Sequence, residues 1–172
     1  MNDYIYERAM LCRERIQGSD PFQLLRDLGI VLMISNAFAK DHLRGFCTMA
    51  NGVPYVVING NQPEEEQRVA AAHEAGHLLL HQDRLRDGVP LYDLEFCSNR
   101  SRLEQQANLF AADFLLGDDE VLEQMSGGDA DYFAVAKALS VPAPMLSFKL
   151  FSMVRRGYPV RMPVELDSTF LK

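Results

Sequence analysis

The spacing of apolar residues along the chain predicts two short N-terminal helices followed by a strand. Apolar residues at positions 5, 9, 12 and 16 share one helical face, which predicts a helix over residues 3–17. Asp20 and Pro21 form a typical helix start and Gly29 a typical helix end, so a second helix is predicted between them. The continuous apolar run at 30–34 then predicts a buried strand.

Two further strands are predicted on either side of Asn51-Gly52, a pair of residues that is the strongest short signal for a β-hairpin. The flanking strands cover residues 44–49 and 53–58. Pro54 has no N–H to donate to a sheet, so it is expected on an edge strand or among the first residues of a strand.

The rest of the chain predicts helices. Asn61 is a candidate cap and Pro63 belongs to the first turn of a helix that runs to about His81. Later helices are predicted at 101–116, 119–125, 130–139 and 143–156. Strands before helices indicate an α+β fold. One domain is expected over residues 1–172, in which the helix pair at about 130–157 can form a sub-lobe.

Residues 73–77 read His-Glu-Ala-Gly-His, the HExxH pattern of zinc peptidases. On a helix, residues four apart lie about 40° apart around the axis and about 6 Å along it, so His73 and His77 can bind one ion. Glu74 points to the side, where it can act as the general base. Both histidines fall on a predicted inward stripe, and Gly76 would allow another backbone to approach.

His81 is rejected as the third metal ligand, because it lies about 12 Å along the helix from His73. A role at the helix C-terminus is expected for it instead. A carboxylate is the common third ligand, and the candidates after the motif include Asp83, Asp87, Asp93, Glu95, Glu104 and Asp113.

Glu104 is favoured among these acids because its helical face turns apolar after it, and a buried acid needs a compensating cation. Asn108, one turn further on, can accept a hydrogen bond from a ligating histidine as an outer-shell partner. The alternative is a solvated acid in the first turn of a helix, where acids are common. Two imidazoles and a carboxylate suit Zn²⁺, and they also accept Mn²⁺, cobalt or iron.

Composition narrows the possible partners. A net charge of −7 disfavours general nucleic-acid binding and is compatible with a basic protein partner. The longest apolar runs fall far short of the ~20 residues of a membrane span, and the charged N-terminus lacks the order of a signal peptide. Three cysteines without CxxC spacing suit a reducing compartment, so a cytoplasmic protein is expected.

Two motifs carry a family resemblance: HEAGHLLLH at 73–81 and EQQANLFAADFLL at 104–116. Together with GFCTMANGVPYVVIN at 45–59 and AKALSVPAPML at 136–146, they resemble the ImmA/IrrE family of gluzincin-like metallopeptidases over about residues 20–157. The chain departs from the family at Ala75, where Leu is common, and at Gly117, where the helix often ends in Met-Pro.

The resemblance implies a minimal zincin-like domain with His73, His77 and Glu104 as metal ligands and Glu74 as the catalytic base. It also implies hydrolysis of a helix-turn-helix transcriptional repressor inside a bacterium, often one encoded on the same mobile element. The alternative is a catalytically weak metal-binding protein that sequesters a repressor or toxin. Four residues are candidates for a further donor to the reacting carbonyl, and the sequence does not select among them: Tyr55, Tyr92, His42 and Tyr158.

Overall fold

The computed structural model describes residues 2–39, 43–86, 91–93, 101–126 and 131–161. These residues form helices and a small sheet, which confirms the α+β prediction. The helices are α1 (Asn2–Ile16), α2 (Pro21–Asp27), α3 (Glu64–Leu80), α4 (Gln82–Arg86), α5 (Arg102–Leu115), α6 (Asp118–Met125), α7 (Tyr132–Ala138) and α8 (Ala143–Arg155). The strands are β1 (Val31–Ser35), β2 (Gly45–Ala50), β3 (Val53–Asn59) and β4 (Leu91–Asp93).

The four strands form one sheet in the order β1-β3-β2-β4. β2 and β3 are the predicted hairpin, and the turn residues Asn51 and Gly52 both have positive φ angles, of 52° and 78°. Two positive φ angles are those of the turn that matches the twist of a hairpin. β1 pairs parallel with β3, and β4 pairs antiparallel with β2.

The strand predicted at residues 30–34 is present as β1, but the prediction that it is buried is wrong. β1 is an edge strand, and the exposed fractions of Val31, Met33 and Ile34 are 40%, 52% and 58%. An apolar run shows that a strand forms, but long-range pairing decides whether that strand is central. Here β3 takes the central place between β1 and β2.

Pro54 lies in this central strand, so its expected place on an edge is also wrong. The second expectation holds, because Pro54 is the second residue of β3. It pairs in register with Met49 of β2, and the pairing of β3 with β1 starts only at Tyr55.

The N-terminal helices lie within two residues of their predicted starts and ends. Asp20 caps α2 by accepting a hydrogen bond from the backbone N–H of Phe22, and Pro21 is the first helical residue. The start of α3 differs from the prediction. Pro63 takes the N-cap position, and the side chain of Asn61 instead donates to the carbonyl oxygens of Asn36 and Phe38.

α3 is the central element of the described core. It packs against β2 and β3 on one side and against α5 on another, and its residues 69–78 are all buried. The predicted single inward stripe is therefore too narrow, because the sheet and α5 together enclose the helix. Small residues make this possible, with alanines at 70, 71, 72 and 75. Among the described helices, none alone is long and apolar enough to cross a membrane, and α7 and α8 pass that test only as a pair with a 98° bend between them.

A buried ion network joins α5, α6 and α8. The ammonium group of Lys149 lies 2.9 Å from Asp113 and 2.7 Å from Asp118, and its side chain is fully buried. Ser152 donates to the second oxygen of Asp113 at 2.7 Å, and Arg156 holds Asp118 with two bonds of 2.6 and 2.7 Å. Two acids and two bases balance in charge, as a buried cluster requires.

Candidate metal centre

The centre forms where α3 crosses α5, and Gly76 sets how closely the two helices approach. A Cβ atom at Gly76 would lie 3.1 Å from the ring of Phe110 and 3.2 Å from both the Cα and the carbonyl oxygen of Ala107. Two of these three neighbours are backbone atoms, so no rotation of a side chain could make room. The close backbone approach predicted at Gly76 is therefore present, and α5 is the element that approaches.

This crossing brings His73, His77 and Glu104 together. The Nε2 atoms of the two histidines are 3.0 Å apart. The Glu104 carboxylate places one oxygen 3.1 Å from Nε2 of His73 and the other 3.2 Å from Nε2 of His77. Both histidines are buried, with 2% exposed, and Glu104 is partly buried. Among the described residues, these three form a group that could hold a metal ion.

The separations between the ligand atoms of these residues suit a tetrahedral site. Zinc–nitrogen and zinc–oxygen bonds of about 2.0–2.2 Å put the ligand atoms of a tetrahedral site about 3.3 Å apart. The observed separations of 3.0, 3.1 and 3.2 Å are close to that value. Three protein ligands are the number found in catalytic zinc sites, and the described residues bring together His73, His77 and Glu104.

The protonation states also suit a cation. Burial lowers the pKa of His77 to about 4, so this imidazole is neutral at neutral pH. Burial raises the pKa of Glu104, but its interactions with the two imidazoles outweigh burial and hold the pKa well below its ordinary value. Neutral imidazoles and an ionised carboxylate are the forms that bind a metal.

Glu74 lies against β2, on the side of α3 that faces the sheet. Its side chain is fully buried and approaches Gly45, where a Cβ atom would lie 3.6 Å from the Cγ of Glu74. Burial and then the charge of Glu74 raise the pKa of the Cys47 thiol, which lies on the same face of β2 as Gly45. Cys47 therefore stays a neutral thiol near the carboxylate of Glu74.

Asn108 lies next to His73, where its Oδ1 atom is 2.9 Å from the ring Nδ1 atom. Because an amide oxygen can only accept, Nδ1 of His73 carries the proton. The lone pair on Nε2 is then directed toward Glu104 and His77. The two Nε2 atoms and the Glu104 carboxylate thus face one another, an arrangement that a divalent cation between them would stabilise.

His81 has a role that the sequence reasoning missed. It occupies the C-cap position of α3, as expected, but its ring is buried rather than solvated, with 7% exposed. Its Nδ1 atom lies 3.0 Å from Nδ1 of His77, and its Nε2 atom lies 3.0 Å from Oε1 of Gln106. Burial lowers the pKa of His81, which disfavours a cationic cap. The spacing of four residues between His77 and His81 is the signal that could have revealed this contact.

Other candidates from the sequence lie elsewhere or outside the described residues. Asp113 binds Lys149 and Ser152, and Asp83 is exposed on α4. The side chains of Asp87, Asp93, Glu95, His42 and Tyr92 lie outside the described residues.

Two of the candidate donors to the reacting carbonyl can be placed. Tyr55 pairs with Thr48, so it points to the face of the sheet opposite Cys47 and Glu74. The guanidinium carbon of Arg156 lies over the ring of Tyr158, 5.2 Å from the ring centroid, which places Tyr158 beside the buried ion network. Neither placement supports a role at the metal centre.

Helix α3 with its paired histidines and the glutamate from α5 define the arrangement of a metallopeptidase. In agreement, residues 25–151, about three quarters of the chain, match the peptidase family described as the IrrE N-terminal-like domain. The chain belongs to this family, which confirms the resemblance to the ImmA/IrrE metallopeptidases. No curated protein sequence matches the chain significantly.

Proposed function

We propose that the chain is a zinc-dependent endopeptidase that cleaves one specific intracellular protein, a helix-turn-helix transcriptional repressor. The observation that carries the proposal is the convergence of His73, His77 and Glu104, whose facing ligand atoms are 3.0–3.2 Å apart, on a helix that also carries the buried carboxylate of Glu74 next to His73 in the sequence. A structural zinc site needs no base, so the adjacent carboxylate favours hydrolysis over metal storage or simple binding.

His73, His77 and Glu104 would hold the ion. When bound, zinc lowers the pKa of a coordinated water toward about 7 and polarises the carbonyl of the scissile peptide bond. The chain supplies the proton transfers. Glu74 accepts the proton of the attacking water and later delivers it to the leaving amine.

The sheet offers a position for an extended substrate. β2 carries Gly45 and Cys47 beside Glu74, and β4 pairs with those same residues. Glu74 lies against β2, and within the described part of the chain β4 is the edge strand next to β2. A substrate strand that adds to this edge would run past the site by β-augmentation.

The identity of the substrate rests on charge and on the family. A chain with a net charge of −7 attracts basic partners by electrostatic steering, and the DNA-facing surface of a repressor is basic. Selection by docking also fits a peptidase that must spare the other proteins of its cell. We therefore expect a cut in an exposed or transiently unfolded segment of a repressor encoded nearby.

The test is to incubate the zinc-loaded protein with repressors from neighbouring genes and to map any cut by mass spectrometry, with Glu74→Gln as the matched control. Cleavage of one repressor by the wild type but not by Glu74→Gln supports the proposal. Equal binding without cleavage by both forms would instead identify a binding protein that sequesters its partner. Rapid digestion of unrelated unfolded proteins would identify a general peptidase.

A further inference from the structure

A chain of hydrogen-bonded side chains extends from the metal centre to α5 through a third histidine. Nδ1 of His77 lies 3.0 Å from Nδ1 of His81, and Nε2 of His81 lies 3.0 Å from Oε1 of Gln106. The rings of His77 and His81 are 5.2 Å apart and tilted by 53°. None of these contacts involves a predicted ligand atom. The contact with His81 constrains the ring of His77, and the contact with Gln106 constrains the ring of His81.

The direction of every hydrogen bond in this chain follows from the metal site. Nε2 of His77 faces Glu104 and His73, so its lone pair is the one available to a metal. In a neutral imidazole the proton must then be on Nδ1, which donates to Nδ1 of His81. His81 in turn carries its proton on Nε2 and donates to Oε1 of Gln106. Only one tautomer of each histidine satisfies all these contacts.

We propose that His81 is a positioning residue that fixes the tautomer and ring orientation of His77, and that Gln106 fixes His81 in the same way. The inference deepens the proposed function and rests on its metal site. With this role for Gln106, three residues of α5 contribute to the metal centre. Glu104 supplies a ligand, Asn108 supports His73 directly, and Gln106 supports His77 through His81.

Burial and backbone geometry favour this role over simple helix capping. The His81 backbone N–H already closes α3 by donating to the carbonyl oxygen of His77 at 2.8 Å, so the imidazole is not needed to end the helix. The ring has 7% exposed and faces inward. Partners that orient a metal-ligating histidine usually change metal affinity when they are replaced.

The experiment measures the zinc affinity of the full chain by competition with a chromogenic chelator, together with the unfolding midpoint of the metal-free protein. His81→Leu removes the acceptor at similar size, and we expect a loss of zinc affinity of about 10- to 100-fold. His81→Asn keeps an acceptor oxygen near the position of Nδ1 and should stay close to the wild-type affinity. Gln106→Leu should weaken binding, and Gln106→Glu, which keeps an acceptor for His81, should not.

Gln67→Leu is the matched control, because Gln67 is another half-buried glutamine on a core helix and its amide binds backbone oxygens of Gly60 and Gln62. Its removal should leave zinc affinity unchanged. The visible spectrum of the Co²⁺-substituted protein gives an independent signature. It should shift in His81→Leu and stay unchanged in Gln67→Leu.

The outcomes separate this inference from the proposed function. A wild type that binds no zinc contradicts the proposed metal site itself. A wild type that binds zinc, together with a His81→Leu variant of equal affinity and unchanged Co²⁺ spectrum, contradicts only the role of His81. Equal weakening in His81→Leu and His81→Asn, with both metal-free variants destabilised alike, would show that the residue serves packing alone.

Discussion

Replacing Gly76 with alanine should weaken metal binding more than it weakens the fold. The added Cβ atom would meet Phe110 at 3.1 Å and two backbone atoms of Ala107 at 3.2 Å. Carbon atoms in favourable contact are about 3.5–4.0 Å apart, so α3 and α5 must separate by at least about 0.3 Å.

The effect on stability is small because two terms oppose each other. Overpacking a core costs about 1–3 kcal/mol. Replacing glycine with alanine inside a helix stabilises the helix by about 1 kcal/mol. The free energy of unfolding should therefore fall by about 1 kcal/mol, and by no more than about 2 kcal/mol.

The metal centre is less tolerant, because its ligands come from both helices. His73 and His77 move with α3 and Glu104 moves with α5, while metal–ligand distances tolerate only about 0.2 Å. Zinc affinity should fall by at least about 10-fold, the lower end of the effect of disturbing the groups that support a metal site.

The assay is chelator competition for zinc beside denaturant unfolding of the metal-free protein. Gly18→Ala is the control, since the nearest atom to its added Cβ is 4.0 Å away, and it should match the wild type in zinc affinity. Wild-type zinc affinity in Gly76→Ala would refute the conclusion that close contact of the two helices sets the geometry of the centre.

Three further perturbations test the core and the site. Lys149→Met removes the cation 2.9 Å from the buried carboxylate of Asp113 and leaves Arg156 at 3.9 Å, so the free energy of unfolding should fall by about 3 kcal/mol in denaturant, whereas a loss below about 1 kcal/mol would refute the network's role. Glu104→Ala should lower zinc content in elemental analysis well below one ion per chain, and full occupancy would place the third ligand elsewhere. Because burial lowers the pKa of His77 from 6.5 to about 4, the unfolded state binds more protons between these values, so stability is lost as the pH falls through this range. The metal-free protein should lose up to about 2 kcal/mol between pH 7 and pH 5, less in His77→Gln, and an equal loss in both would exclude His77 as the source.

The parts of the fold that the sequence predicts are those specified by local signals. The hairpin follows from Asn51-Gly52, because few other residue pairs accept two positive φ angles. The lengths of α3 and α5 follow from periodic apolar positions, and α5 begins beside the predicted residue 101, where the Ser101 side chain accepts from the backbone N–H of Glu104.

Long-range pairing decides the parts that were missed. The apolar run of β1 reads as buried because strand order is invisible in local periodicity. β4 has only three residues, too few for a periodic pattern, and forms by pairing with β2.

The same distinction between local signals and long-range packing applies to the metal centre. The spacing of His73 and His77 is a local property of a helix, so the sequence predicts that they converge on one ion. The pairing of His81 with Gln106 depends on how α3 crosses α5. Local sequence patterns do not reveal how two helices cross. The resemblance to the family located Glu104, but the contacts that orient the ligands are visible only in the structure.

The most direct test of the account compares the wild type with Glu74→Gln in zinc content and in cleavage of the repressor. The substitution keeps the size of the side chain and removes the base. We predict one zinc ion per chain and the same unfolding midpoint in both proteins, with cleavage at least about 10²-fold slower in Glu74→Gln. Equal cleavage rates in the two zinc-loaded proteins would contradict the account.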